Sequence, residues 1–168
     1  MTAEGGNTAE LGAARAMLRH TLATLAYRGD KAVSGADPSF AEFRPHPTSR
    51  SAVEILAHIG DLLDWALWFT RGEHRWDPRG PLPWDKEVER FFDGLRALDE
   101  ALASEEPLGT STERIFQGPI ADALTHVGQI NLMRRMAGSP VRGENYARAT
   151  IAAGSVGPVG EPKRYEFD

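Results

Sequence analysis

Ser51-Ala52-Val53-Glu54-Ile55-Leu56-Ala57-His58-Ile59-Gly60-Asp61-Leu62-Leu63-Asp64-Trp65-Ala66-Leu67 reads as the opening and body of one amphipathic helix. Its first four residues have the form of a capping box. The Ser51 hydroxyl and the Glu54 carboxylate can each accept from a backbone N–H that the first turn leaves free. Ile55, Ile59, Leu62, Leu63, Ala66 and Leu67 then recur at helical spacing and lay a wide apolar stripe along one side. Gly72 is the expected stop, so the helix should cover residues 51–71. Such a stripe is stable only against other apolar surface, and the chain must supply it.

Three further segments do. Leu11, Ala14, Leu18, Leu22 and Leu25 predict a helix over residues 8–33, with Gly29 weakening its last turns. Asp85 as cap, with Val88, Phe91, Phe92, Leu95, Leu98 and Leu102 turned inward, predicts another over 85–103. Pro119 suits a first helical position, and Ile120, Leu124, Val127, Ile130 and Met133 carry the period over 119–137. Arg134 and Arg135 favour the negative end of that helix, and Gly138 with Pro140 closes it.

Pro38, Pro45 and Pro47 punctuate the first connection, and Pro78, Gly80, Pro81 and Pro83 the second. From 138 to 168, Gly143, Gly154, Gly157, Gly160, Pro158 and Pro162 leave room for a turn or short helix within 144–153 at most. No strand pair carries a convincing turn signal. The expected fold is all-α: one domain, a four-helix bundle with an irregular Gly/Pro-rich C-terminal tail.

Composition narrows the function. The 168 residues are 41% hydrophobic and 26% charged, an ordinary globular balance. A net charge of −5 without a basic run argues against nucleic acid as a partner. No apolar run approaches the roughly 20 residues of a membrane span, and Asp64 interrupts the longest, Leu62 to Phe69. Met1 to Glu10 is polar and lacks the apolar core of a secretory signal, so a cytoplasmic location is expected. Without cysteine there is no disulfide, thiolate metal site or cysteine nucleophile.

Asp122 and His126 stand four residues apart, one turn along one helix face, flanking the stripe of Leu124, Val127 and Ile130. An inward carboxylate is costly unless it is paired or bound to a cation. His58 borders the stripe of its own helix, so if the two helices are neighbours, two imidazoles and a carboxylate converge. That donor set suits a divalent metal and can leave positions open for water or substrate. Spacing alone leaves two plainer readings standing: a hydrogen-bonded core histidine, and an Asp–His pair that merely stabilises its helix.

Four residues are candidates for supporting such a site. Asp61, one turn from His58, can accept its free ring N–H, and Gln129, one turn beyond His126, can orient a ligand or a water. Glu144 and Tyr146 can fold back over the site mouth as an acid or base, or belong to a polar tail clamped to the helices. Trp65 is read as core packing that can also wall a pocket, and Gly128 as a place where another helix comes close. His20, His46 and His74 lack partners at ligand spacing and are expected at the surface.

Ser51-Ala52-Val53-Glu54-Ile55-Leu56-Ala57-His58-Ile59 resembles the second-helix motif of the DinB-like superfamily of bacterial metal-binding bundles. Asp122-Ala123-Leu124-Thr125-His126-Val127-Gly128-Gln129-Ile130, running on to Arg134-Arg135-Met136-Ala137-Gly138, resembles its later ligand helix. The resemblance covers about residues 8 to 140. It implies a divalent ion, zinc or nickel first and iron or manganese also admissible, held by His58, Asp122 and His126. The family commonly has His-x-x-x-His on the later helix. Asp122 replaces the first of these and makes the site harder and less positive. The resemblance further implies a homodimer and two functional possibilities. One is a metal-dependent enzyme: a transferase or isomerase using a low-molecular-weight thiol, as in mycothiol-dependent maleylpyruvate isomerase-like proteins, or a hydrolase. The other is a non-catalytic, stress-associated protein with a structural or sensory metal.

Overall fold

The computed structural model describes the backbone of residues 3–160 and 165–167, and side chains from residue 9 onward. Met1 and Pro162 lie outside the described residues. The fold is all-α. Four long helices carry it among the described residues: α1 (Ala3–Val33), α2 (Ala52–Thr70), α3 (Trp84–Ala103) and, after the single-turn α4 (Thr112–Ile115), α5 (Ala121–Met136). None is long and apolar enough to cross a membrane. The only bridge among the described residues is an isolated antiparallel one between Glu144 and Glu166.

α1 and α2 each pack against both α3 and α5. The connection over residues 34–51, turned by a 3-10 segment at Pro38–Glu42, lets the chain cross between α1 and α2 instead of returning as a tight hairpin. Leu22, Leu25, Ile59, Leu62, Phe91, Leu95, Leu98, Ile120 and Ile130 are buried where the four stripes meet. Leu11, expected inward, is exposed. At 31 residues α1 spans about 46 Å against about 30 Å for α3, so its first turns overhang its partners.

Three helix starts differ from expectation. α1 begins at Ala3, not Thr8. α3 is preceded by Pro83 as cap without a side-chain hydrogen bond, and Asp85 lies inside the first turn, where a carboxylate still favours the positive helix end. The last helical path starts at Thr112, capped by Ser111, and runs through Pro119 as a π segment over Phe116–Ile120. Pro119 does not open the helix. It lacks an N–H and crowds the preceding turn, and the wider π spiral accommodates both defects without ending the path.

The capping box of α2 is formed. Ser51 Oγ accepts from the Glu54 N–H, and the Ser51 N–H donates to Glu54 Oε2 at 2.7 Å. Arg44 donates to the same carboxylate at 2.9 Å, and these contacts hold the Glu54 carboxyl at about 2, well below its ordinary 4.5. A carboxyl depressed in the folded state stabilises above its unfolded value and loses that contribution as pH falls through its folded one. The stability difference between the native protein and Glu54→Gln is therefore expected to be constant above about pH 5 and to shrink below it, read by urea unfolding. Ser51→Ala is expected to cost about 1 kcal/mol in the same assay.

Arginines close other helix ends. Arg134 lies in the last turn of α5 as expected and donates to the Ser139 carbonyl just beyond it at 2.9 Å. It also reaches the end of α1, donating to the carbonyls of Ala32 at 3.1 Å and Ser34 at 3.0 Å. Arg15 of α1 does the same for α3, reaching the carbonyls of Ser104 and Glu106. Gly72, at φ +78°, ends α2 as expected.

Candidate metal centre

α2 packs along α5 and the π segment before it, and this neighbourhood brings His58 to Asp122 and His126. Trp65, one face with His58, lies over Gly118 of the π segment with the core behind it. One donor atom from each of His58, Asp122 and His126 lies within 4.8 Å of the others. The His58 and His126 rings stand 4.8 Å apart, nearly perpendicular.

Asp122 sits between the imidazoles, with Oδ2 3.7 Å from His58 Nε2 and Oδ1 3.4 Å from His126 Nε2. Both are ion-pair distances, longer than the usual N–H···O hydrogen bond of about 2.9–3.0 Å. They lie close to the roughly 3.4 Å that separates two ligands bonded at about 2.1 Å to one tetrahedral ion. The plainer reading of an Asp–His pair on one helix is also present as the i,i+4 contact of Asp122 with His126, whereas His58 makes no hydrogen bond among the described residues.

Protonation suits the same use. Burial pushes the His58 imidazolium down from its ordinary range, Arg50 and His126 push the same way, and Asp122 and Asp61 oppose them without reversing the sign. His58 is thus neutral near pH 7, with a lone pair to give. His126 Nδ1 meets Gln129 Oε1 at 2.8 Å. An amide oxygen only accepts, so this bond places the proton on Nδ1 and leaves the Nε2 lone pair, on the Asp122 side, free to bind a cation.

The other expected participants are placed as follows. Asp61 does not meet His58 by a hydrogen bond; it is buried, accepts from Arg90 at 2.6 Å and from the Arg79 backbone N–H at 3.2 Å. Glu144 is buried against α1, accepting from Tyr27 at 2.7 Å and Lys31 at 2.8 Å. Tyr146 packs there too, edge-on to Tyr27 and under the Arg28 guanidinium. Both tie the segment after α5 to α1. Gly128 is exposed with no atom within 4 Å of where a Cβ would stand, so no helix approaches it. His20, His46 and His74 are exposed.

Trp76 was not legible as a site residue. The linker that carries it is pinned by two carboxylates, Asp61 at the Arg79 N–H and Glu87 at the Leu82 N–H (2.9 Å). Trp76 thereby stands edge-on to His58 at 5.8 Å and to Trp65 at 5.7 Å. A large aromatic in an otherwise polar, Pro-rich linker was the available signal. Beyond it, a cavity of about 520 Å³ opens on His58, walled by Trp76, Pro78 and Pro81. His58 belongs to both the donor cluster and this cavity.

No protein-family model matches the chain, and no curated protein or solved structure matches it either.

Proposed function

We propose that this chain is a DinB-like four-helix bundle that holds one divalent ion, zinc or nickel, through His58, Asp122 and His126. It uses the ion as a metal-dependent enzyme, working as a homodimer on a small external thiol or on water. The observation that carries the reading is Asp122 facing one imidazole with each oxygen at 3.4 and 3.7 Å, distances that suit a shared ion and are longer than the usual hydrogen bond.

A bound ion of this class acidifies water or a thiol and polarises an acceptor group. The protein's own residues do the rest. His58 and His126 donate neutral nitrogen, Asp122 offsets part of the ion's charge, and Gln129 holds His126 in the donating tautomer. Trp76 stands edge-on to His58 and walls the site beside it. Asp122, with a side chain 47% exposed, leaves the cluster accessible from solvent. Absence of cysteine fits a thiol brought from outside.

The test is an open coordination position. Cobalt(II)-substituted protein titrated with 2-mercaptoethanol is expected to develop a sulfur-to-cobalt charge-transfer band. A spectrum unmoved by thiol and by water-competing anions would mean a closed shell, and would replace the enzyme by a structural or sensory metal protein. Gln129→Leu, at an exposed position that leaves folding alone, is expected to weaken zinc binding by about tenfold, read by competition with a chromophoric chelator.

A further inference from the structure

The cavity that opens on His58 carries more positive charge than its acids neutralise. Arg44, Arg50 and Arg79 line it, together with Glu54 and Asp61. Glu54 is taken by Arg44 at 2.8 Å, and Asp61 by Arg90 at 2.6 Å. Arg50 and Arg79 also line the cavity, and their guanidinium groups have no hydrogen-bond or ion-pair partner among the described residues. The chain as a whole has a net charge of −5, so three arginines against two acids, a local surplus of one cation, run against its general balance.

The surplus is also built in place. The Arg79 backbone is held by its N–H to the buried Asp61 carboxylate at 3.2 Å, between Pro78 and Pro81, which restrict the linker on either side. Arg50 immediately precedes Ser51, the cap of α2, so its backbone is fixed where the helix begins. A space of about 520 Å³ lies within the range that small-molecule sites occupy. Guanidinium groups present paired N–H donors that match the oxygens of carboxylate and phosphate.

We propose that this cavity is the substrate site of the metal centre and binds a small organic acid, with its carboxylate or phosphate group on Arg50 and Arg79 and its reactive end beside His58. The inference rests on the metal-centre reading, because it makes His58 the meeting point of ion and substrate. It adds the substrate class, an anion, to that reading.

Calorimetric titration of the full chain with succinate, inorganic phosphate and uncharged succinamide decides it, with metal content measured on the same samples. Succinate or phosphate, or both, are expected to bind the native protein, more weakly as salt rises. The tighter of the two names the preferred anionic group. Arg50→Gln/Arg79→Gln, two exposed positions, is expected to lower that affinity at least about tenfold while keeping the native metal content. Failure of both anions to bind, equal binding of succinamide, or undiminished binding in the double variant overturns the proposal. Stoichiometric metal in those same samples would leave the metal centre standing, and native protein without metal would remove the metal centre whatever the acids do.

Discussion

His58→Ala and His126→Ala, purified without a metal-affinity tag, are each expected to lose the divalent ion that the native protein carries in stoichiometric amount. Removing a group that only orients a ligand costs roughly 10- to 100-fold in affinity, so removing the ligand itself should cost at least about a hundredfold. Asp122→Asn, which keeps the shape and removes the charge, should fall between these variants and the native protein. Neither imidazole belongs to the apolar core, so the alanine variants should keep native helicity by circular dichroism. That separates loss of a ligand from loss of the fold. Metal retained by both variants, measured by elemental analysis, would return the cluster to a chance meeting of two histidines and an aspartate.

The second large effect is expected away from the site. Phe91 is fully buried, packed against Phe92 at 4.9 Å, with the tip of its ring at Gly29 of α1. A Cβ at Gly29 would stand 2.4 Å from Phe91 Cζ, closer than atoms tolerate. Phe91→Ala is expected to cost about 3–5 kcal/mol, the penalty of emptying a close-packed site that cannot fully collapse. In a chain of this size each kcal/mol lowers the melting temperature by about 2–4 °C, so the variant should melt at least about 6 °C below the native protein.

Gly29→Ala sets two effects against each other. Helix propensity gains about 1 kcal/mol. Overpacking a full core costs about 1–3 kcal/mol and should win, because the fully buried Phe91 ring must shift to admit the methyl group. Adding Phe91→Leu to Gly29→Ala should then cost less than the two single changes summed, by urea unfolding. Simple additivity would show that the two residues do not share that space.

Gly29 also shows where sequence reasoning stops. As a residue in a helical pattern it counts as a weakness, and only its neighbour across the core turns it into a fitted surface. Gly128 reverses the lesson, since the close approach expected there does not occur and the position faces solvent. Periodicity says which side of a helix is apolar. It does not say which side chain of another helix arrives opposite a given residue.

Local physics settled a large part of this protein in advance. The apolar stripes, the capping box of Ser51 and Glu54, and the stop at Gly72 act within one or two turns, so they are legible in the chain, and so are the positions of four helices. The same local spacing put Asp122 and His126 on one face, with His58 beside the stripe of another helix. Tertiary packing decided what depends on distance through space. It passed the last helix through Pro119 as a π segment that packs against α2. It sent Glu144 and Tyr146 to α1, where Tyr27, Lys31 and Arg28 satisfy them. It gave Asp61 to Arg90 and brought Trp76 from a linker onto His58. Long side chains and loops choose partners by the energy of burial and pairing across elements, and no spacing along the chain records that choice.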